Sequence, residues 1–194
     1  MSLTGPIRYP IRISSTILFL HWIVAVSLLG MIGFGLYISL APRGPDKTAL
    51  IQVHKSFGMM VLVLLVVRLW WRLRRGFPPP VAPLTRLEQK LSRLVHWALL
   101  VLPLVMVASG MVRSLAYARG INVFGIPVVP RVLEERNVAL NETAGAIHDG
   151  TAVALMVLIT LHVSGVLRHH FIKKDDTLRR MLGLRCGGAS RTNS

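Results

Sequence analysis

The sequence predicts an all-α protein, a transmembrane four-helix bundle, on three observations. Its apolar residues, 53% of 194, are gathered into long runs instead of being spread at amphipathic spacing, and the mean hydropathy is +0.56. Four runs, Thr16 to Leu40, Val53 to Trp71, Leu94 to Ala116 and Ile147 to Phe171, each approach the roughly 20 residues that cross about 30 Å of hydrocarbon. The charge is one-sided: of 23 Lys and Arg, sixteen lie at the start of the first run, at the junction of the second and third, or at and beyond the end of the fourth.

That distribution explains the formal net charge of +15. The positive-inside rule places both termini and the second loop in the cytoplasm, with a multi-pass topology. A basic chain also raises nucleic acid as a partner. Here the cations border apolar spans, where topology and contact with anionic membrane lipid account for them. The single cysteine, Cys186, excludes an intrachain disulfide, a CxxC zinc pair and a CxxCH haem attachment.

Residues 1–14 read as a short cytoplasmic segment, 15–182 as the membrane domain and 183–194 as a basic tail without fixed structure. Ser14, Ser15 and Thr16 offer N-caps for the first helix, which is too long and lacks the cleavage site of a removable signal peptide. Gly30, Gly33 and Gly35 thin its far end, for helix packing or for a flat cofactor. Pro42, Gly44 and Pro45 mark a turn, and Asp46 to Thr48 are placed to begin the second helix. Trp70, Trp71 and neighbouring arginines form an aromatic and basic border before Pro78, Pro79, Pro80 and Pro83 end any helix. Thr85 to Glu88 is a capping-box pattern ahead of the third span, which contains Pro103 and Gly110. Gly120 to Gly145 is the longest link, a lid over the helix ends on the outer side, and Asn141-Glu142-Thr143 matches the glycosylation pattern.

The histidines carry the functional reading. His148 and His162 are fourteen residues apart on one run, within roughly 40° of the same face and about 21 Å apart along a helix. With the amino terminus inside, His54 and His148 both open inward-running helices and share the outer depth, while His21 and His162 share the inner depth. Histidine in hydrocarbon is kept there by a partner or a function. Two stacked imidazole pairs suit axial ligation of haem iron, with His54 and His148 at the outer iron and His21 and His162 at the inner; two histidines per iron leave no open position and favour electron transfer. Zinc is disfavoured because neither depth offers a carboxylate or thiolate. The inner pair has rivals in His96 and His169, and Arg68, Arg72, His96 and His169 are candidates for a quinone head group or a haem propionate. Lys55, beside His54 and with Arg43, Lys47, Arg113 and Arg119 on the same side, is the candidate centre of an outer anion patch.

Taken together, H-W at His21, H-K-S-F-G from His54, V-V-R-L-x-x-R-L ending the second span, I-H-D-G around His148, L-H at His162 and H-H-F near the tail resemble the bacterial cytochrome b561 family over residues 14–182. The resemblance implies a four-helix dihaem membrane protein with two non-covalent b haems on these same histidine pairs. It also implies ubiquinone as redox partner and, as an activity, superoxide oxidation at the outer face with electrons delivered to ubiquinone. The alternative is a haem-bearing anchor subunit that relays electrons between a dehydrogenase or hydrogenase partner and quinone. A small channel or transporter with structural histidines is the third reading.

Overall fold

A computed structural model describes residues 13–77 and 84–184. Its body is four long helices, α1 (Ser15–Leu40), α2 (Pro45–Arg75), α3 (Arg86–Ala116) and α4 (Val138–Phe171). A two-stranded hairpin, β1 (Ile121–Val123) and β2 (Ile126–Val129), lies between α3 and α4, and a short α5 (Thr177–Met181) follows α4. The four long helices are each apolar enough to span a membrane, with peak mean hydropathy between 2.0 and 2.3. At 26 to 34 residues they run about 39 to 51 Å at 1.5 Å per residue, past the hydrocarbon and into both headgroup layers. Apolar side chains such as Leu29, Val63, Val153 and Val157 stay exposed on the outer faces, where lipid replaces water.

Three helices begin well before the apolar runs that announce them. α2 starts at Pro45, not Val53, because Pro at the first position and Asp46 in the first turn favour a helix start outside the hydrocarbon. α3 starts at Arg86, where Thr85 and Glu88 form the capping box: the Glu88 amide donates to Thr85 Oγ1 at 3.2 Å and the Thr85 amide to Glu88 Oε2 at 3.0 Å. α4 starts at Val138, not Ile147, because Asn137 caps it by accepting from the Leu140 amide at 3.0 Å. Asn141, the candidate glycosylation site, is therefore inside a helix and buried, its amide donating to the Arg113 carbonyl at 2.9 Å.

The hairpin turns at Phe124 and Gly125, both at positive φ (48° and 88°), as a two-residue turn between twisted strands requires. It docks on α2: Ser56 Oγ accepts from the Phe124 amide at 3.0 Å, and the Phe57 and Phe124 rings meet edge-on at 5.3 Å. This end of the bundle is called the hairpin end below, and the opposite one the basic end. Pro78 to Pro83, Cys186 and most of the expected tail fall outside the described residues.

Packing is uneven. α4 lies most closely against α3, and α1 against α2, while α4 touches α1 and α2 only sparsely among the described residues. A small buried cluster of Val24, Val61 and Leu65 joins α1 to α2, with Leu104 and Val107 of α3 against it. The separation between α4 and the α1–α2 pair is where the four key histidines meet.

Candidate functional site

Toward the hairpin end, His54 of α2 faces His148 of α4 with ring centres 6.5 Å apart. Toward the basic end, His21 of α1 faces His162 of α4 with ring centres 6.3 Å apart. Taking a metal–imidazole bond of about 2.0 Å and about 1.1 Å from nitrogen to ring centre, two imidazoles on opposite sides of one metal ion have centres about 6.2 Å apart. Both pairs match that separation. Among the described residues no third His, Cys, Asp or Glu gathers with either pair into a multidentate metal cluster, so the donor set is two imidazoles per site.

The surroundings of the first pair favour ligation. His148 Nδ1 lies 2.8 Å from the Met106 carbonyl, an acceptor only, so Nδ1 carries the proton and Nε2 keeps its lone pair for a metal. Ser109 Oγ sits 3.4 Å from the same nitrogen and donates to Met106 O at 2.9 Å. Gly110 lies close beside this ring: a Cβ there would stand 3.0 Å from His148 Cε1, so the ring would have to give by a few tenths of an ångström. His54 Nδ1 is buried without a hydrogen-bond partner in the protein, and Phe34 tilts against its ring at 5.6 Å. Of the three glycines that thin the end of α1, Gly35 is the one beside this ring, with its would-be Cβ 3.5 Å from His54 Cε1; Gly30 and Gly33 face open space.

At the second pair, Arg68 Nη2 lies 3.2 Å from His21 Nδ1. A guanidinium only donates, so this nitrogen accepts and a neutral His21 carries its proton on Nε2. For His21 to offer Nε2 to a metal, Arg68 has to give up this contact for another acceptor. His96 is close but does not replace His21 as an axial partner: its ring centre is 5.2 Å from that of His162 at 89°, too near for the two rings to lie on opposite sides of one iron. Its Nδ1 donates to the Ser92 carbonyl at 2.6 Å, and Phe77 lies edge-on to it at 5.8 Å. Arg72 stacks on that same Phe77 at 4.6 Å and donates to the Gly76 carbonyl at 2.9 Å. His96, Phe77, Arg72 and Arg68 thus line one side of the second pair.

His169 does not join them. The chain reverses after α4 through Lys174, at φ 52°, and brings Asp175 back to bond His169 Nδ1. Of the cations expected in the outer patch, three have local partners. Lys47 caps the end of α1 by donating to the Ala41 carbonyl at 2.9 Å, Arg113 pairs with Asp149 at 3.4 Å, and Arg119 stacks on Tyr117 at 4.5 Å. Lys55, beside His54 in the chain, donates to Ser114 Oγ of α3 at 3.1 Å. The Met106 carbonyl, Ser109 and Gly110 were not identifiable as site residues from the sequence. A backbone acceptor leaves no mark in it, and the one signal was a glycine in the middle of an apolar span.

Comparison with known proteins agrees with this geometry. The model of the family described as prokaryotic cytochrome b561 matches residues 12–184. Cytochrome b561 homolog 2 of Escherichia coli K12 is 37% identical over 167 residues, covering 84% of this chain and 87% of the relative. Cytochrome b561 homolog 1 of the same organism is 30% identical over 176 residues, covering 88% and 97%. A Yersinia pestis protein named probable superoxide oxidase CybB is 29% identical over 169 residues, covering 84% and 91%. With four membrane-spanning helices, paired histidines at metal-ligating separation and a family match over nearly the whole chain, the protein belongs to the prokaryotic cytochrome b561 family of transmembrane haem b electron-transfer proteins.

Proposed function

We propose that the chain carries electrons across the bacterial inner membrane between a one-electron donor at the hairpin end and ubiquinone at the basic end. Two b haems serve in series, one held by His54 and His148, the other by His21 and His162. The observation that carries this is the pair of imidazole separations, 6.5 and 6.3 Å, on one helix fourteen residues apart. Bound haem supplies a reversible one-electron iron couple at each site, and two histidines per iron leave no position open for dioxygen. The sidedness of Lys and Arg supports cytoplasmic termini, so the hairpin end faces outward.

The chain's own groups divide the remaining work. Met106 O fixes the tautomer and orientation of His148. Lys55, tethered to Ser114, keeps a cation one residue from His54, where it attracts a small anionic donor. Superoxide is the proposed donor, by likeness to the relative named probable superoxide oxidase. At the basic end Arg68, Arg72 and His96 offer hydrogen bonds to a quinone carbonyl or a propionate. Visible difference spectroscopy with a pyridine haem assay should give two b haems per chain, and His148→Ala should give one. A folded His148→Ala protein with two haems, or with none, would overturn the pairing.

A further inference from the structure

Among the described residues, two arginines at the basic end of α2 have no carboxylate partner. The chain has eight acidic residues, and only Glu88, Asp175 and Asp176 lie at this end. Each is engaged elsewhere: Glu88 by Arg168 at 2.9 Å and Lys173 at 2.7 Å, Asp175 by His169, and Asp176 by Arg179 at 3.7 Å. Arg74 and Arg75 instead lie over indole rings one turn back, Arg74 Cζ 5.5 Å from the Trp70 ring and Arg75 Cζ 5.7 Å from the Trp71 ring. The four side chains line an open basin at the end of α2.

We propose that this basin binds the phosphodiester of an anionic phospholipid from the leaflet at the basic end. A guanidinium stacked on an aromatic face keeps its N–H fork free in its own plane, which is the geometry that takes phosphate oxygens bidentately. Among the described residues every acid at this end is already paired, so the counter-charge for these arginines comes from outside them. The C-terminal end of α2 opposes an anion with about half a negative charge, which the two arginines outweigh about fourfold. A lipid source is favoured over a soluble one by Trp70, which is 52% exposed at the interface level where indoles meet lipid esters.

The test is native mass spectrometry of the full-length haem-loaded protein with phosphatidylglycerol or phosphatidylcholine of the same acyl chains. Wild type should retain the anionic phosphatidylglycerol preferentially, and R74Q/R75Q should lower that retention about tenfold or more. K90Q/R93Q removes the same charge from exposed positions on α3 at this end and should change retention far less. Equal losses in the two variants, or no head-group preference in wild type, would reduce the basin to general surface charge and overturn the site. R74K/R75K keeps the charge but loses the fork, and tests the same point if the glutamine variant does not fold: unchanged retention would overturn the site. Retention of inorganic phosphate in neutral detergent, lost in R74Q/R75Q, would assign the basin to a soluble anion and overturn the lipid assignment.

Discussion

Gly110→Ala tests the link between helix packing and cofactor retention. A methyl at Gly110 would stand 3.0 Å from His148 Cε1 and 3.1 Å from Nδ1, about 0.5 Å inside ordinary contact. The ring has to move away, and the 2.8 Å bond from its Nδ1 to Met106 O is what holds it in place. Weakening the hydrogen bond that orients a ligating histidine typically costs 10–100-fold in metal affinity, so the variant should lose haem at the hairpin-end site by about tenfold or more. Helix propensity acts the other way, since Ala is favoured over Gly by about 1 kcal/mol in a helix. The expected signature is therefore separable: unchanged or raised thermal stability of the apoprotein with about half the haem per chain, measured by pyridine haem assay and haem titration. Two haems with an unaltered affinity would refute the close-contact reasoning.

His96→Ala should leave both haems bound, because the 5.2 Å separation from His162 is too short for the two to ligate one iron from opposite sides, while the Michaelis constant for a short-chain ubiquinone rises; loss of a haem would make His96 a ligand after all. Arg68→Gln removes a guanidinium that touches His21 and should lower the midpoint potential of the basic-end haem by tens of millivolts, since a nearby positive charge favours the reduced iron; an unchanged redox titration refutes it. The Asp175 carboxyl is pushed up by burial but pulled down further by hydrogen bonds from His169 and Thr177, so it titrates below its ordinary 3.8. A carboxylate depressed in the fold stabilises above its unfolded value and ceases to as pH falls through the folded one. Amide protection of α5 should thus hold above about pH 4 and drop below it, and Asp175→Asn should lower it at every pH above that; protection that is flat with pH in the wild type contradicts this.

The fold was legible because membrane spans are written in run length, and the four histidines because depth follows directly from counting along alternating helices. What the sequence hid has particular physical causes. The helix start at Val138 lies in a polar segment that a hydrocarbon-length window ignores, although Asn137 is a good start signal. The hairpin was masked because Phe124 takes a positive φ that an aromatic residue seldom adopts, leaving Gly125 as the lone turn signal. His169 sits seven residues after His162 and so shares its face. Only the reversal at Lys174 decides that its partner is Asp175 and not the second imidazole pair.

The division of labour among the helices has a consequence for where the two sites are sensitive. α4 gives one histidine to each pair, α2 and α1 give the others, and α3 gives none. Yet α3 grips α4 along its length: Asn137 N donates to Ala116 O at 2.9 Å, Asn141 to Arg113 O at 2.9 Å, His148 to Met106 O at 2.8 Å, and Arg168 pairs with Glu88 at 2.9 Å. The histidine-bearing face of α4 is thereby set by a helix that gives no histidine to either pair, while the facing helices α1 and α2 stay apart from it. The placement of His148 and His162 opposite α2 and α1 then depends on contacts between α4 and α3, one of them made by the His148 ring itself. Changes in α3 reach both sites through α4, whereas changes around His21 in α1 act on the basic-end site alone.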